Sequence, residues 1–351
     1  MPLSTPPVLV HHRGTARRPI VNAPRHTQYA IRNTHYAGAP FYGISPTMQS
    51  FSYVAARTLA EATAILAREG DQAKCLSGGT DLIVFLREGR RRASVVVDVK
   101  GIPELNQLSY HPQAGLTIGA AVPCHRIYSD PQVTAHYPGL IDAVALIGGI
   151  AIQGRATLGG NVCTASPAGD AIPALIAHQA VCIVASPEGT RELPIEQFFR
   201  GPGQTVLGTG ELLVALKLPP PRPRMGAAYL RFTPRNEMDI AVASAGVAVS
   251  LSADGARFAH ARVALGAVAP TPLLVSQAGE ALIDQPVSEA AVEAAARAAQ
   301  AAARPITDVR GTAEQRRHLA YVLTKRALWR AIERARTEGK ERENGKLERG
   351  G

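Results

Sequence analysis

Pro219, Pro220, Pro221 and Pro223 crowd into five positions of this 351-residue chain. No helix or inner strand passes through such a run, because each proline lacks an N–H and holds its φ fixed. The run is therefore the best domain boundary in the chain. The composition is that of an ordinary globular protein, 46% hydrophobic with 5% aromatic residues. No run of eighteen apolar residues is present, so no membrane span is expected. The N-terminus lacks the compact apolar core of a secretory signal, which points to the cytoplasm.

Organised sequence begins at Met48, where Phe51-Ser52-Tyr53 leads into a helix opened by a capping box, Thr58 with Glu61, and closed by Gly70. A strand over Ala73–Leu76, a glycine turn, a helix over Leu82–Leu86 and a strand over Val95–Val99 follow. Strands around Gln107–Tyr110 and Leu116–Ala120 flank a turn, then come helices near Cys124–Val133, Tyr137–Ile147 and Ala171–His178. Strands return at Val181–Ala185 and Leu212–Leu218. Beyond the prolines, Ile240–Leu251 and Ala259–Val268 read as an antiparallel hairpin turned at Asp254-Gly255. Helices over Ser288–Ala303 and Thr312 to Arg336 end the fold, and residues 337–351 read as a disordered charged tail. The pattern divides into a leader (1–47), a first domain (48–222, with subdomains meeting near 105), and a C-terminal domain (223–336).

The net charge of +10 suggests nucleic acid until it is located. Residues 1–47 hold five arginines and no acid, residues 334–351 contribute +2, and the body between keeps only +3. A basic stripe within the fold is missing, so nucleic acid is not the expected partner. The leader is either an Arg-rich targeting or flexible arm, or residues upstream of a true start at Met48; the second is favoured, since everything structural starts there. Cys75, Cys124, Cys163 and Cys182 form no CxxC pair and read as buried reduced thiols, with no metal site of their own.

Two segments carry chemistry. In Lys74–Ile83, KCLSGGTDLI, a glycine pair after a strand turns the backbone tightly and leaves main-chain N–H groups uncovered, a concavity suited to a diphosphate. An ordinary strand-to-helix turn would read the same way. The segment is neither the GxGxxG fingerprint nor a Walker loop, so nicotinamide and ATP sites of those kinds are unsupported. In Arg155–Asp170, RATLGGNVCTASPAGD, the glycine pair recurs beside Thr157 and Asn161. Asp170 there is suited to accepting from a ribose, to capping the helix after it, or to both.

SGGTDL, then TLGGN with SPAGD, together with the opening FSYVAARTLAEATAIL and the stretch Tyr229-Leu230-Arg231 to Asp239-Ile240-Ala241, resemble the FAD-binding (medium) subunit of the xanthine dehydrogenase and carbon monoxide dehydrogenase family of molybdenum hydroxylases. The resemblance runs from about Met48 to about Arg336. It implies an α+β fold: a two-subdomain FAD-binding domain of the PCMH type, followed by a small α+β C-terminal domain with an antiparallel sheet and helices. It implies that Cys75, Leu76, Ser77, Gly78, Gly79, Thr80, Asp81 and Leu82 wrap the FAD diphosphate. Thr157, Leu158, Gly159, Gly160 and Asn161 fall on the second FAD loop, and Asp170 on the carboxylate at the ribose end. Leu213 matches an apolar residue against the flavin ring, and Arg231 stands where many relatives have a lysine near the flavin.

Ile147 occupies a position that is aromatic in the xanthine enzymes. The stretch Ile150–Arg155 departs from the PQIRNR of many relatives. With no His or Cys at Thr80, the FAD is expected to be non-covalent. The resemblance also implies partners, a large molybdenum-cofactor subunit and a small 2Fe-2S subunit, in a heterotrimer or its dimer, with exposed apolar surface where they dock. Electrons would pass from the 2Fe-2S subunit to FAD and on to an external acceptor. No catalytic base, nucleophile or metal ligand is assigned to this chain; His125 and His178 read as surface or helix histidines, and Asp98 and Asp142 as structural. An autonomous FAD-dependent oxidoreductase of the same fold is the alternative, and a non-enzymatic protein with a decayed site is disfavoured by the intact glycines.

Overall fold

The computed structural model describes residues 48–236 and 238–347, so the leader reading lies outside the described residues. The first sheet is small and parallel. Strand β1 (Ser52–Ala55), helix α1 (Leu59–Glu69), β2 (Ala73–Leu76), α2 (Leu82–Arg87) and β3 (Val95–Asp98) follow in sequence, with strand order β1-β3-β2. Thr58 Oγ1 accepts from Glu61 N–H at 3.1 Å, and the Glu61 carboxylate accepts from Arg57 N–H at 2.8 Å, closing the predicted capping box one residue early. Residues 52–55 do not lead directly into the helix, as the sequence suggests. They form an edge strand of four residues, too short for its alternation to register, and pairing with β3 makes it a strand.

The second sheet is antiparallel and carries the helices of the N-terminal unit. After β4 (Leu108–His111) and β5 (Gly115–Gly119) come α3 (Cys124–Tyr128), α4 (Pro131–His136), α5 (Pro138–Val144), α6 (Ile150–Gln153), α7 (Leu158–Thr164) and α8 (Ala171–Ala177). Then follow β6 (Val181–Ser186), β7 (Gly189–Pro194), a ribbon of β8 (Phe199–Gly201) and β9 (Gln204–Thr205), and β10 (Leu212–Leu218). Strand order is β4-β5-β10-β6-β7. The helix expected over 124–133 is broken in two. Asp130 accepts from Gln132 and Val133 N–H groups and Pro131 takes the first helical position, so a new helix starts there. His178, at the end of α8, is buried, 4% exposed, and so is no surface histidine.

The C-terminal unit stacks a third sheet on helices. Strands β11 (Met225–Phe232), β12 (Ala243–Leu251), β13 (Phe258–Gly266) and β14 (Leu273–Leu274) form an antiparallel sheet in chain order, followed by α9 (Ser276–Glu280), α10 (Glu289–Ala302) and α11 (Ala313–Leu347). The predicted hairpin is β12–β13, with Gly255 at φ 73° in its turn. β11 is a strand that the sequence reading passed over, because Gly226-Ala227-Ala228 lacks β-branched residues. Helix α11 packs across β11 and β12. It also continues past Arg336 to Leu347: the run read as a disordered tail is rich in Glu, Lys and Arg, which are good helix formers.

The two units are clipped together by polar contacts at their seam. Asp142 of α5 takes Arg334 of α11 through both carboxylate oxygens, at 2.6 and 2.9 Å, and accepts from Tyr229 N–H at 3.2 Å. Arg262 of β13 donates to Ile176 O at 3.0 Å and to Glu196 at 2.9 Å. Tyr137 donates to Pro219 O at 2.9 Å, anchoring the proline run. Asp142 is structural, as the sequence suggests, and so is Asp98, whose carboxylate accepts from Tyr53 and, at 2.7 Å, from Lys100.

Candidate functional site

The glycine turn before α2 and the loop leading into α7 meet although they are far apart in the chain. An added Cβ at Gly78 would lie 2.2 Å from Arg155 O, so only glycine permits this approach. Ser77 and Thr157, eighty residues apart, share a hydrogen bond of 2.9 Å between their hydroxyls. On the other side, Thr164 donates to the Asp81 carboxylate at 2.9 Å. Two cross-links thus hold the loops at a fixed spacing.

Between them lies a cleft of about 210 Å³. Of the predicted residues, Cys75, Ser77, Gly78, Gly79, Thr80, Asp81, Leu82, Thr157, Gly159, Gly160, Asn161 and Leu213 line it, and so does Ile147. Gly79 has φ 82°, the left-handed conformation that bulkier residues resist. Among the described residues, the N–H groups of Gly78, Gly79 and Thr80 donate to no protein acceptor. Successive free amides in a turn form a concavity for an anion. The residues present therefore suit a diphosphate. Thr157 is partly committed, since its hydroxyl caps α7 by accepting from Gly160 N–H at 3.1 Å.

Four predicted residues stand behind the cleft. Leu158 is fully buried in the core, and Leu76 forms the floor of the first turn, its Cδ1 lying 2.8 Å from where a Cβ on Gly79 would sit. Asp170 and Arg231 bond to each other at 2.7 Å, and the other Asp170 oxygen accepts from the Tyr229 hydroxyl at 2.7 Å. Burial pushes the Asp170 carboxyl up, while the Arg231 guanidinium and the Tyr229 hydroxyl oppose that shift. The Asp170 side chain does not cap α8, which removes the capping role among the alternatives that the sequence left open. Its oxygens are spent across the seam on β11, and Asn161 Oδ1 accepts from Ala171 N–H at 3.4 Å instead.

Sequence reasoning missed several lining residues, among them Lys74, Phe85, Arg91, Cys163, Thr164 and Leu212. Thr164 and Cys163 lie one turn beyond the glycine pair on α7, a helix that the glycines themselves disguised. Leu212 and Leu213 both reach the cleft beside a break in the β10 register, where strict alternation fails. Cys124 and Cys182 are buried as expected, whereas Cys75 and Cys163 are half-buried at the cleft. Burial pushes the Cys75 thiol up to about 12. It raises Cys163 too, with Cys75 and Cys182 adding to the effect, so neither is a ready thiolate at neutral pH. Among the described residues no helix is long and apolar enough to cross a membrane.

Comparison with known proteins agrees with this geometry. The family described as the FAD binding domain in molybdopterin dehydrogenase matches residues 49–221, and the CO dehydrogenase flavoprotein C-terminal domain matches residues 228–331. A putative xanthine dehydrogenase FAD-binding subunit of Escherichia coli K12 is 33% identical over 282 residues, covering 80% of this chain and 96% of the relative. The carbon monoxide dehydrogenase medium chain of Hydrogenophaga pseudoflava is 33% identical over 278 residues, covering 79% and 96%. A solved structure of carbon monoxide dehydrogenase from that organism superposes with a TM-score of 0.78 at 33% identity, covering 82% of this chain and 98% of the other. Two glycine loops closing on one anion-ready cleft, ahead of an antiparallel C-terminal domain, thus accompany these likenesses, and the chain belongs to the FAD-binding medium subunits of the xanthine dehydrogenase and carbon monoxide dehydrogenase family, as an oxidoreductase subunit whose cofactor is FAD.

Proposed function

We propose that this chain is the electron-relay subunit of a molybdenum hydroxylase, standing between a 2Fe-2S partner subunit and an external acceptor. The complex would add a large molybdenum-cofactor subunit, as a heterotrimer or its dimer, and work in the cytoplasm. Residues 48–222 form its cofactor domain and 223–336 its C-terminal domain. The observation that carries the reading is the convergence of Ser77–Asp81 and Thr157–Asn161 on a single cleft, with the Gly78, Gly79 and Thr80 amides free to meet a diphosphate.

When bound, FAD supplies a two-electron store that accepts electrons singly and releases them in pairs. The chain's own residues bind and orient. The free amides hold the diphosphate, and Thr157 and Asn161 present polar groups along the second wall. Leu212, Leu213 and Ile147 offer apolar surface for a ring system. Asp170 with Arg231 braces the end of the second loop against β11 from behind the cleft. No side chain is placed as a general base, since the relay moves electrons and leaves bond-making to the molybdenum subunit.

The test is the flavin content of the purified full chain beside Gly79→Val and Gly160→Val. Wild type is expected to hold non-covalent FAD, released on denaturation, and each variant to lose it. Normal FAD content in both variants would refute the site. Reduction of the isolated chain by small organic substrates, with no partner present, would replace the relay with an autonomous oxidoreductase.

A further inference from the structure

The turn after α2 brings a cation to the cleft that neither glycine loop contains. Arg91 N–H donates to Phe85 O at 3.1 Å, which folds the chain back along α2. Phe85 and Arg91 both line the cleft, and the Arg91 guanidinium lies 5.5 Å from the centre of the Phe85 ring. Arg90 sits closer to that ring, at 4.6 Å, but is not a lining residue. A guanidinium resting on an aromatic ring keeps its in-plane donors free for another partner.

The charged side chains lining the cleft are Lys74, Asp81 and Arg91. Lys74 Nζ donates to Asp71 O at 2.7 Å, and Asp81 accepts from Thr164 at 2.9 Å. Arg91 has no ion pair and no side-chain hydrogen bond among the described residues. Half-buried Arg91, whose guanidinium carries five donors and meets no acceptor among the described residues, thus shares a cleft with three amides that also lack acceptors. Both sets of donors call for the same chemistry, an anion with several oxygens.

We propose that Arg91 pairs with the diphosphate of FAD and completes, with the Gly78, Gly79 and Thr80 amides, the seat of that group. The inference rests on the reading of this cleft as the FAD site. The diphosphate is the anionic part of the cofactor, and the planar fork of Arg matches two phosphate oxygens at once. The isoalloxazine is uncharged in its oxidised form, so Arg91 should contribute to FAD affinity and not to affinity for the ring alone.

The test is fluorescence titration of the full chain, stripped of flavin, with FAD and with riboflavin, which lacks the diphosphate. Arg91→Gln is expected to raise the Kd for FAD about tenfold, as for loss of a charge-assisted contact, while the riboflavin Kd stays within about twofold. Its FAD Kd should also depend less on salt than that of wild type, and Arg91→Lys should recover part of the loss. An unchanged FAD Kd in Arg91→Gln overturns the proposal and leaves the cleft assignment standing. Equal weakening for FAD and riboflavin also overturns it, by giving Arg91 a merely structural role. A wild-type chain that takes up no FAD overturns the cleft reading and this inference with it.

Discussion

In the N-terminal unit, Gly78 brings one loop against another, an added Cβ falling 2.2 Å from Arg155 O; in the C-terminal unit, Gly226 brings β11 under α11, an added Cβ falling 1.9 Å from Ala331 O. Both are backbone-to-backbone approaches, yet they leave different things behind. Around Gly78 the chain stays open. Its neighbours are turns, the Gly78, Gly79 and Thr80 amides meet no acceptor among the described residues, and a cleft of about 210 Å³ separates the walls. Around Gly226 the strand is paired with β12 along its length and α11 packs over it, with Ala331, Ile332 and Ala335 fully buried. Glycine in a turn can create a binding site, whereas glycine in a paired strand under a helix creates only a seam.

The largest effect should fall on that seam. Gly226→Val has no route to relief, because the obstacle is backbone on both sides, and a loss of about 4 kcal/mol or more is expected in urea denaturation. Gly160→Val meets only the Thr157 hydroxyl, at 2.9 Å, so its stability should fall by less than about 2 kcal/mol while FAD is lost. If the two variants unfold alike, the contrast between site and seam is wrong.

Acid should strain the region where the units join. Burial holds the His178 imidazole down at about 4, Asp142 opposing, and its Nε2 is buried with no partner among the described residues. A histidine depressed on folding adds stability that is full above its unfolded value, near 6.5, and is lost as pH falls toward 4. The loss is on the order of 3 kcal/mol across that window. Urea midpoints at pH 7 and pH 5 check it, and His178→Phe should flatten the dependence.

Asp142→Asn would leave Arg334 short of its carboxylate in a half-buried setting. About 2 kcal/mol should be lost where the two units join, with FAD content unchanged. The smallest effect belongs to Ser77→Ala, which cuts the hydroxyl bridge between the two loops but leaves Thr157 capping α7. About 1 kcal/mol of FAD affinity should go, read as a severalfold rise in Kd with unchanged thermal stability. A drop in melting temperature without a change in Kd would mean the bridge serves the fold alone.

How much was legible follows from how local each signal is. The two glycine pairs, the proline run, the Thr58 cap and the Asp254-Gly255 turn announce backbone geometry through residues a few positions apart, and the cap and the turn are found where they were expected. The strands β1 and β11 were not legible, one being too short and the other too rich in Gly and Ala, and each is a strand because a neighbour pairs with it. Arg91 was hidden for another reason. It stands among Arg87, Arg90 and Arg92 in the sequence, and only the fold back along α2 singles it out. Asp170 shows the converse, since its position before α8 suggests a cap, while its oxygens are taken by Tyr229 and Arg231 from the other unit.

The resemblance of the motifs to a known family gave the cofactor, and the order of residues alone gave the breaks and the two loops able to expose amides. These depend on φ restrictions and short-range bonding, which act along a few consecutive positions whatever the rest of the chain does. The tertiary structure alone decided that the loops face one cleft, that Arg91 joins them, and that Asp170 and Arg231 brace the site from behind. Such pairings link side chains tens of residues apart, and only packing of the sheets and helices sets the distances on which their hydrogen bonds and charges depend.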